Sequence, residues 1–277
     1  MWNRLKSVFR LARWHRVRVQ YSPCPRCGPA WQIKLDDLEV AVRCARCGAS
    51  AVTQSLLWVL LEEVPDLARQ RVYELSSRGP LHEFLTPRVL ELTGSEYLPG
   101  VAPGTRQDGV LCQDVEQLTF ADESFDLCTS TEVFEHVADD ARGFAEICRV
   151  LKPGGRFLFT VPLTRAPGTV ERVRRVDGGL EYLLPAEYHD DRLTGPGTVL
   201  VFRDYGRDLP ERLRRAGFAE ARFQRPRRPM PWNLGREVVV ARKAMTGGGG
   251  GSSWRVGAAL VAWGGPPLSW PEMELLT

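Results

Sequence analysis

Two spacings of apolar residues alternate along most of the chain. Short apolar runs lie at residues 72–75, 94–98, 109–115, 125–130, 156–162, 221–224 and 237–242, and their β-branched and aromatic content predicts strands. Between them the period changes. Phe144, Ile147, Cys148 and Leu151 fall at i, i+3, i+4 and i+7, which predicts one buried stripe of an amphipathic helix. Pro153, Gly154 and Gly155 are expected to stop that helix and turn the chain into the next strand. Strands alternating with helices predict an α/β layered domain on a mostly parallel sheet, here residues 71–244.

The flanks have other patterns. Residues 51–70 are apolar and helix-prone as far as Pro65, and read as a helical linker. Residues 1–19 form a basic arm carrying Arg4, Lys6, Arg10, Arg13, Arg16 and Arg18 without an acid. Such an arm can meet phosphate, but interspersed arginine is common at termini, so a solvated lead-in whose Trp2, Leu5 and Phe9 pack on the body is preferred. Residues 245–277 open on a glycine run at 247–251 and are expected to be a disordered tail, because glycine loses the most backbone entropy on ordering.

Composition narrows the class. The chain has 277 residues, 43% of them hydrophobic, enough for one full core and a small module. It holds no apolar run long enough for a membrane-spanning helix. With 37 Lys and Arg against 34 Asp and Glu, it has no uniformly basic coat for nucleic acid. Cys112, Cys128 and Cys148 stand singly in apolar segments, and the arginine-interrupted N-terminus lacks the apolar stretch of a secretory signal. The expectation is a cytoplasmic protein in a reducing compartment.

The other four cysteines are paired. Cys24 with Cys27 and Cys44 with Cys47 make two C-x₂-C turns, each followed by a glycine. A two-residue gap lets two thiolates converge on one metal, and two such turns complete a tetrahedron without an open position. A redox dithiol and a site without metal are the alternatives. The spacing resembles zinc ribbons over residues 20–50, which implies a structural Zn²⁺. Whether such a module binds nucleic acid, binds protein or braces a neighbour is left open.

Residues 110–162 carry the chemistry. A strand ends in the acid Asp114; the next ends in Thr129, Ser130 and Thr131, and is followed by Glu135 and His136. Ligands of open parallel sheets bind at the carboxyl ends of strands, where small polar and acidic side chains suit a ribose or an adenine. Together with the Leu151-Lys152-Pro153-Gly154-Gly155 turn, this segment resembles class I S-adenosylmethionine-dependent methyltransferases, over roughly residues 72–242. The resemblance implies a Rossmann-like seven-stranded sheet with helices on both faces, its last strand antiparallel, and S-adenosyl-L-methionine across the strand ends. It assigns Glu74 to the acid near the cofactor and Glu96 to the ribose hydroxyls. Asp114 would accept from the adenine amino group, with the Val115 backbone facing the ring, and Ser130 and Thr131 would line the floor beside the sulfonium. The family's glycine-rich first loop is altered here: Ser76, Arg78 and Pro80 replace glycines and Gly79 alone remains, out of phase. Ser76 and Ser77 can still donate to the methionine carboxylate and Arg78 can pair with it; loss of cofactor binding is the other reading.

Methyl transfer from a sulfonium mainly requires alignment and water exclusion, so no fixed catalytic triad is expected. His136 after the fourth strand, and Tyr188 and His189 in the insertion after the fifth, are candidate bases. A surface or structural role competes for each. The arginines 172, 174 and 175 read as a solvated face. The leading expectation is a methyltransferase acting on a small-molecule or carrier-bound acceptor. The alternatives are an RNA methyltransferase using the ribbon to hold its substrate, and an inactive methyltransferase-like scaffold. The sequence sets neither the acceptor nor an oligomeric state.

Overall fold

A computed structural model describes residues 17–35, 41–191 and 195–245. The basic arm through residue 16 and the glycine-rich tail from residue 246 lie outside the described residues. Within them, a six-stranded sheet forms the centre, in the spatial order β16 (Phe218–Gln224), β17 (Val238–Lys243), β9 (Leu151–Thr160), β8 (Phe125–Thr131), β4 (Arg71–Glu74), β5 (Glu91–Gly94). β4, β5, β8 and β9 pair in parallel, while β17 runs antiparallel to both its neighbours. The antiparallel last strand is as expected.

Alternation along the strands sorts the core into two layers, because successive side chains of a strand point to opposite faces. Val72, Leu127, Leu158, Val238 and Val240 face helices α1 (Ala51–Glu63) and α2 (Pro80–Leu85). Tyr73, Cys128, Phe157, Phe159, Val239 and Ala241 face α3 (Asp140–Val150) and α4 (Leu209–Arg215). Ser50 caps α1 by accepting from the Thr53 amide at 3.1 Å. The helix is buried along most of its length, so the segment expected to link two units supplies a layer on the sheet. Phe144, Ile147, Cys148 and Leu151 are all buried, as their spacing predicts.

Three expectations are corrected. The sheet has six strands among the described residues, because the strand expected at 109–115 is largely diverted. Asp108 and Gly109 both have positive φ, 51° and 80°, and turn β6 (Arg106–Gln107) into β7 (Val110–Leu111). That is the backbone an Asp-Gly hairpin turn provides. Only an isolated parallel bridge, Glu96 with Cys112, continues the main sheet. The strand expected at 94–98 lies earlier and ends at Gly94, where a Cβ would come within 2.8 Å of both the His82 ring and the Ser76 carbonyl. Finally, α3 has stopped by Val150, and residues 153–155 lie within β9. There the register with β8 shifts and Gly154 takes φ 75°, a conformation suited to glycine.

Before α1, strands β1 (Arg18–Cys24), β2 (Gly28–Lys34) and β3 (Val42–Cys44) form a three-stranded antiparallel sheet. After β9 comes an insertion of three antiparallel pairings, β10 (Val170–Glu171) with β15 (Arg203–Asp204), β11 (Val173–Val176) with β12 (Gly179–Tyr182), and β13 (Tyr188–Asp191) with β14 (Gly195–Leu200). No helix among the described residues is long and apolar enough to cross a membrane.

Candidate functional site

Four thiols converge in the small sheet. Cys24 and Cys47 Sγ lie 3.6 Å apart and Cys27 and Cys44 Sγ 3.5 Å apart, with all four within 4.8 Å of one another. A tetrahedral ion with metal–sulfur bonds of about 2.3 Å separates its sulfurs by roughly 3.8 Å, so the set fits one without rearrangement. Gly28 and Gly48, which follow the two pairs, have φ of 79° and 72°. The knuckle is tied to the main body. Arg26 donates to the Cys47 carbonyl at 3.0 Å and forms an ion pair with Glu83 of α2. The Gln54 amide of α1 donates to buried Gln32 at 3.0 Å.

A cavity of about 220 Å³ opens at the carboxyl ends of β4, β5 and β8. Glu74, Ser76, Gly79, Glu96 and Thr131 line it, as do Arg78 and Pro80. Arg43, Ser50 and Thr53, from β3 and the start of α1, close another part of its wall. Glu74 is 2% exposed, and burial pushes its carboxyl up to about 8 although the Thr129 hydroxyl donates to it. Glu96 Oε1 gathers the altered glycine loop. Ser76 Oγ donates to it at 3.2 Å, Ser77 N–H and Oγ at 2.9 and 2.8 Å, and Arg78 Nε stands at 3.4 Å. Ser130, Thr131 and Thr160, at the ends of β8 and β9, bury hydroxyls that have no hydrogen-bond partner. Asp114, Val115 and Ser130 are not among the residues lining this cavity. The Asp114 carboxylate accepts from the Glu116 amide at 2.9 Å within a tight turn, and Val115 packs against the core.

Beyond Thr131 the chain turns sharply. Glu132 takes φ 53°, a left-handed conformation costly for a side chain of this kind, and forms an ion pair with Arg236. Phe134 is fully buried and stacks on Phe144 at 4.4 Å, which fixes its neighbours Glu135 and His136. Glu135 is 1% exposed and neither carboxylate oxygen has a hydrogen-bond partner. Burial, with the charge of Glu132 adding to it, pushes its carboxyl well above the usual range. His136 Nε2 lies 3.7 Å and His189 Nδ1 4.0 Å from Glu135 Oε1, and the two rings meet edge to face at 5.0 Å. The insertion is locked here by Arg203, which is buried and donates to the carbonyls of Phe134, Val137 and Ala138.

His136 and His189 therefore meet, although they lie far apart in the sequence. Tyr188, their neighbour on β13, is half exposed and pairs with Tyr182. Arg172, Arg174 and Arg175 are ion-paired to Asp204, Glu181 and Glu116. Glu135 was absent from the expected site residues, and so were Glu132 and Arg203. A buried Glu beside a His leaves no mark in composition; its one local signal is the apolar flank of Phe134 and Val137.

Residues 77–159 match the family described as Methyltransferase domain. A demethylmenaquinone methyltransferase from Mycobacterium sp. (strain KMS) is 29% identical over 143 residues, 47% of this chain and 59% of that protein. An ubiquinone biosynthesis O-methyltransferase from Coxiella burnetii (strain Dugway 5J108-111) is 41% identical over 90 residues, 30% of this chain and 38% of that protein. The match thus spans less than two thirds of these relatives' length. An S-adenosylmethionine-dependent methyltransferase structure from Clostridium acetobutylicum ATCC 824 superposes over 70% of this chain and 92% of that chain, with 15% identity and a TM-score of 0.46.

Proposed function

We propose that this protein transfers a methyl group from S-adenosyl-L-methionine to a small-molecule or carrier-bound acceptor. The observation that carries the reading is the cavity lined by Glu74, Ser76, Gly79, Glu96 and Thr131, which overlaps the segment matching a methyltransferase domain. The unpartnered hydroxyl of Thr131 and the buried Glu74 carboxyl, both on its wall, fit a polar, partly cationic ligand there. When bound, the cofactor supplies an already activated methyl group. The chain's own part is to hold and orient. Glu96, fixed by Ser76, Ser77 and Arg78, would accept from a ribose hydroxyl, and Glu74 would face the methionine ammonium. The small-molecule or carrier-bound acceptor is favoured by relatives named for a quinone pathway and for malonyl-[acyl-carrier protein]. The RNA-directed alternative draws no support from those names.

The four thiols of Cys24, Cys27, Cys44 and Cys47 would hold a structural Zn²⁺, since their set is closed to water and substrate. The test of the main reading is calorimetric titration of S-adenosylhomocysteine into the zinc-loaded chain, beside Glu96→Gln. Saturable one-site binding, weakened about tenfold or more in the variant, is expected. No heat and no thermal stabilisation at millimolar ligand would overturn it and leave the scaffold alternative.

A further inference from the structure

Glu135, His136 and His189 form a ligand set distinct from the four thiols. One donor atom from each lies within 4.8 Å of the others. A divalent ion with bonds of about 2.1 Å needs ligand atoms roughly 3.0–3.4 Å apart; from the observed 3.7 and 4.0 Å to Glu135 Oε1, with all three donors within 4.8 Å, closure takes a side-chain shift on the order of 1 Å. Each histidine has an acceptor near its outer nitrogen. His136 Nδ1 lies 2.8 Å from the Leu200 carbonyl, which only accepts, so the proton sits on Nδ1, and Nε2 lies 3.7 Å from Glu135 Oε1. His189 Nε2 lies 3.5 Å from Glu187, leaving Nδ1 toward the same carboxylate. Glu187 is held in turn by Arg172 at 2.7 Å. A histidine whose far nitrogen is fixed by a carbonyl or a carboxylate is the usual outer layer of a metal site.

A second observation is independent of this clustering. A carboxylate 1% exposed with no hydrogen-bond partner for either oxygen is costly to bury, and a cation would answer both. From these geometries we infer that Glu135, His136 and His189 bind one divalent first-row transition ion, of the Mn²⁺ or Fe²⁺ kind. Two imidazoles and one carboxylate leave coordination positions open, which suits oxygen donors of a ligand. Thr131, on the wall of the cavity, lies a few residues before Glu135 in the same turn of chain. The catalytic consequence rests on the proposed methyl transfer: an acceptor hydroxyl bound to the ion would release its proton to solvent at lower pH than in water.

The experiment is a Mn²⁺ titration of the full chain carrying a single zinc and freed of excess zinc, which would otherwise compete for the site, read by loss of the free-ion electron paramagnetic resonance signal. One Mn²⁺ per chain is expected, with affinity lowered at least tenfold in Glu135→Gln and in His189→Ala. Glu187→Gln, which touches only the outer nitrogen, should weaken it by about 10-fold to 100-fold. His189 is partly exposed on the insertion, so its variant tests the site even where Glu135→Gln fails to fold. No binding to the parent chain, or binding unchanged in His189→Ala, would overturn the inference. S-adenosylhomocysteine titration in the same samples separates the two readings. Mn²⁺ bound without S-adenosylhomocysteine binding would uphold the metal site and sink the methyltransferase.

Discussion

Ser77 donates both its backbone N–H and its hydroxyl to Oε1 of Glu96, at 2.9 and 2.8 Å. The loop that lacks the expected glycines thereby gains a grip on an acid at the end of the neighbouring strand. Removing the hydroxyl while keeping the amide, in Ser77→Ala, deletes one hydrogen bond worth about 1 kcal/mol. We expect S-adenosylhomocysteine affinity to fall about fivefold, with little change in melting temperature. An affinity equal to the parent's would show that the grip does not orient Glu96 for a ligand.

Glu74 makes stability depend on pH. Its folded carboxyl is pushed up to about 8 from an ordinary value of 4.5, so the folded chain binds more protons than the unfolded one between these limits. Its contribution is fully present below about pH 4.5 and is lost as pH rises through 8, with a limiting slope of about 1.4 kcal/mol per pH unit. Denaturant unfolding between pH 5.5 and 8.5 should show this decline, and Glu74→Gln should flatten it. A decline of equal slope in the variant would assign the effect to other groups.

Gly94 ends β5 against the ring of His82 and the carbonyl of Ser76, both 2.8 Å from where a Cβ would sit. The carbonyl is backbone and cannot rotate away. Gly94→Ala should therefore cost about 1–3 kcal/mol as an overpacked site, measured by chemical unfolding. It should also disturb the loop of Ser76 and so weaken ligand binding in parallel.

Removing the zinc proposed for the knuckle tests its coupling to the cavity. Stripping zinc with a chelator, or Cys44→Ala, should lower the melting temperature and also weaken S-adenosylhomocysteine binding, because Arg43 and Ser50 line the same cavity as Glu74. Thermal scans with and without chelator, beside the calorimetric titration, read both effects. Unaltered ligand affinity in the stripped protein would make the knuckle energetically separate from the site.

Much of this architecture was legible from local rules. The buried stripe of Phe144, Ile147, Cys148 and Leu151, the alternating strands, and the glycines after each cysteine pair each follow from backbone geometry and burial. The diverted strand was misread: Asp108-Gly109 makes a hairpin turn, but the apolar run that follows it reads as one continuous strand. The meeting of His136 with His189 was not legible, because it depends on the insertion folding back. That return is set by the buried Arg203 on the carbonyls of Phe134, Val137 and Ala138. Nor could spacing reveal that the segment before β4 supplies a wall of the cavity, for that depends on how α1 lies across the sheet.

The shared wall has a physiological consequence. Arg43, Ser50 and Thr53 come from the knuckle and the helix it leads into, and they reach the same hollow as Glu74 and Glu96. If the knuckle folds only around its ion, as small thiolate modules do, completion of the hollow waits on that ion. The availability of trace metal in the cell would then set what share of newly made chains is competent. Metal scarcity would then lower the competent share through incomplete maturation.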